Sequence, residues 1–112
     1  MKTLKFAPEL VPLVLSGEKT ATWRLFDDKN LDVGDTLQFI DSAVGRHFAK
    51  AVITEVAEKK LGELTEQDWE GHERFATKED MYATYQKYYN QPVDSNTLVK
   101  MVRFKLTQEA AI

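Results

Sequence analysis

The sequence predicts an α+β domain, a small mixed β-barrel of about five strands with two or three flanking helices. Three observations predict it. Short alternating segments recur along the chain, apolar residues at helical spacing interrupt them in only two or three places, and there is no strand–helix–strand cadence or internal repeat. At 112 residues with 43% apolar side chains, the chain can bury one core. A single domain over residues 1–107 is expected, followed by a C-terminal tail at 108–112.

Each element has a local reason. Thr3 to Phe6 alternates as a short strand. Pro8 suits a first helical turn, where its missing N–H would be unpaired anyway. Leu10, Val11, Leu13, Val14 and Leu15 then give a helix at residues 8–16 an apolar face; Pro12 keeps it short and Gly17 ends it. Thr20 to Leu25 carries the β-branched and aromatic residues of a strand, and Asp27-Asp28-Lys29-Asn30 forms its polar exit. The turn Val33-Gly34-Asp35 launches Thr36 to Ile40, which pairs as a hairpin with a strand resuming at Phe48 and running to Val56. Glu58-Lys59-Lys60 marks its solvated end. Thr65 and Asp68 cap a short helix closed by Gly71. Thr77-Lys78-Glu79-Asp80 starts another, in which Met81, Tyr82, Tyr85, Tyr88 and Tyr89 recur at helical spacing until Asn90-Gln91-Pro92. The last strand is Thr97 to Leu106.

Composition narrows the function classes. The formal charge of −3 repels a polyanion, so any RNA contact has to be local, whereas a small nucleoside in a pocket requires no counterion release. With no cysteine and only His47 and His72, far apart, neither a disulfide framework nor a metal site is expected, and no cofactor. Nothing approaches the roughly 18 consecutive apolar residues of a membrane span, and Met1 to Phe6 lacks the apolar stretch of a secretory signal. A soluble cytoplasmic protein that does not engage membranes is expected.

The segment Gly17-Glu18-Lys19-Thr20-Ala21-Thr22-Trp23-Arg24 is the most informative. A helix-ending Gly leads directly into a strand on which Thr20, Thr22 and Arg24 share one face, and Ala21, Trp23 and Leu25 the other. Arg24 suits bidentate binding of phosphate or carboxylate, and a desolvated Lys19 would lose its proton near neutral pH and serve as a base. The same residues also fit a solvated strand face. Tyr82, Tyr85, Tyr88 and Tyr89 are explained by core packing, with base stacking as the alternative. Arg46, Lys50, Arg103 and Lys105 are either a phosphate-facing rim or solvated charges.

Leu15 to Arg24 resembles the Gly-x-Lys-x-x-Thr-x-Arg signature of the ASCH family, whose fold is similar to PUA domains. Asp32 to Leu37, Leu64-Thr65-Glu66 and the strand Val99 to Leu106 extend the resemblance over nearly the whole chain. It implies a domain that binds RNA or a nucleoside in a cleft between Gly17–Arg24 and an acidic helix around Glu70. Small bacterial members of similar length hydrolyse N4-acetylcytidine, and the resemblance then implies Lys19, Thr22 and a Glu as catalytic residues. Glu70, which precedes the Gly, is preferred, with Glu73 in reserve. Thr20, Trp23, Arg24, Trp69 and Glu73 are the implied substrate-binding residues, Trp23 and Trp69 as stacking faces. A binding module, an amidohydrolase of acetylated cytosine nucleosides and, last, a ribonuclease are the readings that follow.

Overall fold

A computed structural model describes residues 1–27 and 29–109 of the chain. Strand β1 (Lys2–Phe6) leads through a 3-10 turn at Pro8–Leu10 into helix α1 (Val11–Ser16). Gly17 ends α1 in the left-handed conformation, φ 84°, and the chain enters β2 (Ala21–Leu25). Strands β3 (Thr36–Asp41) and β4 (Arg46–Lys60) follow, then two 3-10 turns at Leu61–Glu63 and Glu66–Trp69, helix α2 (Lys78–Tyr89) and β5 (Leu98–Glu109).

The strands form one sheet in the order β1-β3-β4-β5-β2, antiparallel except for the parallel β1–β3 pair. The sheet curls into a half-barrel, and its two edge strands face each other across an open seam. Arg24 of β2 spans this seam, its Nη2 donating to the Lys5 carbonyl of β1 at 3.1 Å. The expected α+β fold, a small mixed barrel of about five strands with flanking helices, is therefore present, its sheet curled into a half-barrel.

Period-two alternation sorts the core into two layers. On β5, Val102 and Phe104 point to one side with Leu4, Phe6, Val14, Leu37, Phe39, Ala51 and Ile53. Val99 and Met101 point to the other with Trp23, Leu25, Leu61, Met81 and Tyr85, so α2 lies against that face. Burying a residue such as Phe39 or Leu25 contributes about 1.5–3 kcal/mol.

Two boundaries differ from the sequence reading. Strand β4 continues through Lys60 because β5 pairs with it along that length, down to Lys60 opposite Leu98. Cross-strand bonding outweighs the charge of Glu58 and Lys60, which are exposed. Likewise β5 runs on through the expected start of the tail to Glu109, opposite Ala49; residues 110–112 lie outside the described residues. Among the described residues no helix is long and apolar enough to cross a membrane.

Helix α2 begins where expected, with the Thr77 side chain accepting from Asp80 N at 3.0 Å, and ends at left-handed Asn90. Removing that cap in Thr77→Ala is expected to cost about 1 kcal/mol, read as a lower denaturation midpoint at unchanged m-value.

Candidate functional site

A cleft of about 450 Å³ opens at the seam of the half-barrel. Lys5 and Phe6 of β1, Thr22 and Arg24 of β2, Tyr85, Tyr88 and Tyr89 of α2, and the pair His72-Glu73 meet there, with Lys19 among its lining residues. Sheet curvature creates this site, since residues near the two ends of the strand order become neighbours across the gap.

Lys19 is fixed before β2 starts. Its N–H donates to the Leu13 carbonyl at 2.9 Å, at the end of the turn that Gly17 permits, and its side chain is only 3% exposed. The ammonium pairs with the Glu73 carboxylate. Burial pushes the Lys19 pKa below the ordinary lysine range; Glu73 opposes that shift and Arg24 adds to it. Burial of Glu73 on its own would raise its pKa, but His72 and Lys19 outweigh this and hold the carboxyl below its usual range.

Arg24 is committed within the protein. Its Nε donates to Thr22 Oγ1 at 3.2 Å, its Nη2 to the Lys5 carbonyl, and the guanidinium lies 5.0 Å from the centre of the Phe6 ring. Thr22, itself buried, thus has its hydroxyl oxygen oriented by a cation.

The residues that reach Lys19 come from a loop held by backbone contacts. Gly71 at φ 74° offers its carbonyl to both Thr20 N (2.8 Å) and Ala21 N (3.1 Å), which seats the loop on the start of β2. Arg103 adds two further ties, Nη1 to the Glu70 carbonyl at 2.9 Å and Nη2 to the Gln67 carbonyl at 3.2 Å. The turn itself carries the expected capping box between Thr65 and Asp68, and Asp68 also pairs with Lys59 at 2.8 Å. His72 then stacks on Trp23, with ring centres 3.8 Å apart and planes 19° from parallel. Its Nδ1 lies 2.7 Å from the Glu73 carbonyl.

Glu73 stands where the sequence reading preferred Glu70. The expected acidic helix is a single 3-10 turn, Glu66–Trp69, with Glu70 at its C-terminal cap. Glu70 is exposed and lines a separate depression with Glu55, Gln67 and Arg103. The left-handed turn at Gly71 reverses the chain between the two acids, so only the later one enters the seam. Thr20 is exposed with its side chain against Gly71, outside the cleft lining. Trp69 packs on Trp23 at 4.6 Å between ring centres, also away from that lining. Trp23 Nε1 is the one buried side-chain nitrogen or oxygen among the described residues that lacks a partner. Among the same residues no group of three or more His, Cys, Asp or Glu side chains is arranged to hold a metal.

No protein-family model and no curated protein matches this sequence. Solved structures do match. Protein EF3133 from Enterococcus faecalis V583, of family-model DUF984, is 18% identical, with a TM-score of 0.78 over 93% of this chain and 73% of the other. The ASCH domain of Lactobacillus crispatus JV V101 is 16% identical, with a TM-score of 0.67 over 90% of this chain and 72% of the other. For ASCH from Zymomonas mobilis the identity is 12%, with a TM-score of 0.66 over 92% and 65%. The chain has the ASCH fold. In this ASCH fold the signature residues Lys19, Thr22 and Arg24 all face the seam cleft. Lys5, Phe6 and Ser42 also line it, although nothing in their local sequence marks them, because strand order alone brings them there.

Two outcomes are expected. A Cβ at Gly71 would run into Thr20 Oγ1, and the backbone there is left-handed, so Gly71→Ala should destabilise by more than 1 kcal/mol on the order-of-magnitude scale for such sites. Its denaturation midpoint should fall well below that of Gly45→Ala, which meets open space at a similar φ. The second concerns His72, whose pKa falls from 6.5 to about 4 through burial and the nearby Lys19. The unfolded chain therefore binds the extra proton first. Its stabilising contribution is complete above pH 6.5 and is lost as pH falls toward 4, on the order of 3 kcal/mol across the window. Denaturation at stepped pH should show this loss in the wild type and a smaller one in His72→Phe.

Proposed function

We propose that the seam cleft binds a nucleoside and hydrolyses an acyl amide on its base, as in N4-acetylcytidine. The observation that carries this reading is the buried Lys19–Glu73 couple beside the Arg24-oriented hydroxyl of Thr22. Amide hydrolysis needs a nucleophile, a base for its proton and a donor to the departing nitrogen, and these three groups meet the requirement. The resemblance of Gly17–Arg24 to the signature of small ASCH amidohydrolases supports the same chemistry, with Glu73 as the acid.

Size and charge favour a small ligand over a nucleic-acid strand. The cleft volume lies within the range of about 300–1,000 Å³ usual for small-molecule sites. Its two inner cations are already matched, Lys19 by Glu73 and Arg24 by Thr22 and the Lys5 carbonyl. Together with the net charge of −3, this disfavours a phosphate backbone as the ligand.

In the proposed step the proton of the resting ammonium–carboxylate pair first passes from Lys19 to Glu73, leaving Lys19 Nζ with a lone pair. Thr22 Oγ1, or a water it holds, attacks the acyl carbon while Nζ takes the nucleophile's proton. The C–N bond then breaks, and Glu73 delivers its proton to the departing amine. This returns the couple to ammonium and carboxylate; where Thr22 is the nucleophile, water subsequently cleaves its acyl ester. Arg24 opposes the negative charge that develops beside Thr22.

Incubation with N4-acetylcytidine, followed by chromatography for cytidine, tests the proposal. Lys19→Ala and Glu73→Gln should each lower kcat/KM by roughly 10²-fold or more, whereas Glu70→Gln should stay within about twofold of wild type. Activity requires one proton on the couple, so it should fall at high pH with an apparent pKa below the ordinary lysine range. No cytidine release at enzyme concentrations equal to substrate would overturn the hydrolase reading; retained cytidine binding would then identify a binding domain.

A further inference from the structure

We infer that His72 is a substrate-contacting residue which presents a bare Nε2 to the cleft as a hydrogen-bond acceptor, and so selects ligands carrying an exocyclic N–H at that point. This rests on the reading of the cleft as a nucleoside site, and it adds a residue and a selection rule that the signature does not contain.

The tautomer follows from the neighbours of Nδ1. The Glu73 carbonyl lies 2.7 Å away and Glu73 Oε1 3.3 Å away. A carbonyl and a carboxylate only accept hydrogen bonds, so Nδ1 carries the ring proton. In the neutral ring the lone pair then belongs to Nε2. Neutrality is secured by burial and by the nearby Lys19, which keep the imidazolium from forming at physiological pH.

Nε2 has no protein partner among the described residues, yet it is not sealed, since Trp23 Nε1 is the one sealed and unpartnered side-chain nitrogen or oxygen there. The cavity that His72 lines is the seam cleft. Ring orientation is fixed on both sides, by the stack on Trp23 and by the Nδ1 bond. A rigid acceptor beside Lys19 and Glu73 matches the amine of cytosine or its acylated N–H. It opposes the carbonyl oxygen that uracil carries at the same place, because two acceptors would face each other without a proton. A site that leaves a buried polar group unpaired against the wrong ligand discriminates strongly.

The test uses the intact chain with cytidine and uridine, measured by calorimetry, alongside long-range proton–nitrogen NMR of His72. The expected result is an Nδ1-protonated ring whose Nε2 resonance moves on adding cytidine. Cytidine should bind about 10-fold or more tightly than uridine, and the preference should vanish in His72→Phe, which keeps the stack on Trp23 but has no acceptor. An Nε2-protonated ring, absence of a cytidine preference in the wild type, or the same preference in a folded His72→Phe would each overturn the inference. If His72→Phe does not fold, the wild-type resonance decides: an Nε2 signal unmoved by cytidine overturns it. A wild type that prefers cytidine but does not release it from N4-acetylcytidine rejects the hydrolase reading alone. A wild type that hydrolyses while His72→Phe keeps its preference rejects this inference alone.

Discussion

The Gly71 carbonyl receives the N–H groups of Thr20 and Ala21, and the arrangement of the site depends on that junction. It joins the entry into β2 to a loop about fifty positions later in the chain. Lys19 lies just before the junction on one side, and His72 and Glu73 just after it on the other. Because backbone atoms make the bond, the separation of the two segments is set by peptide geometry and not by flexible side chains. Glycine is required on two counts, a left-handed φ and the absence of a Cβ where Thr20 packs.

Burial of Lys19 carries an electrostatic cost in this architecture. Desolvation disfavours the ammonium, and Glu73 offsets part of the penalty at close range in a medium of low polarity. Glu73 is itself held as a carboxylate by Lys19 and His72, so the three groups form one coupled unit. Such an arrangement stabilises a fold less well than apolar packing would, which is the physical reason for connecting it with chemistry. Trp23 stacks on His72 and is packed in turn by the tilted ring of Trp69, which sets the orientation of the imidazole in this unit.

The open seam gives the site its shape. A sheet closed into a full barrel would hydrogen-bond its edges together and leave no cleft between β1 and β2. Here Arg24 replaces that ladder with one side-chain bond to the Lys5 carbonyl, and α2 covers the rest with tyrosines. The guanidinium thus serves as a bridge and as the orienting donor to Thr22, a use different from the phosphate fork that its place on the strand suggested.

Local chemistry was legible from the residues. Gly17 as a helix stop, Thr65 with Asp68 and Thr77 with Asp80 as caps, and the alternation of β5 were all readable, because each depends on neighbours within a few positions. So was the Lys19–Arg24 segment, whose polar groups crowd at strand spacing. Choosing between Glu70 and Glu73 was not, since they differ by three residues and the same charge, and only the reversal at Gly71 separates exposed from inward-facing. Phe6 and Ser42 carried no signal either, because their place in the cleft comes from strand order. By itself the sequence determined the elements, their caps and the chemically dense segment, through short-range backbone and side-chain preferences. Which acid meets Lys19, and which distant residues enclose it, was decided only by tertiary structure, because sheet curvature and one carbonyl bridging two segments act between residues that no local pattern relates.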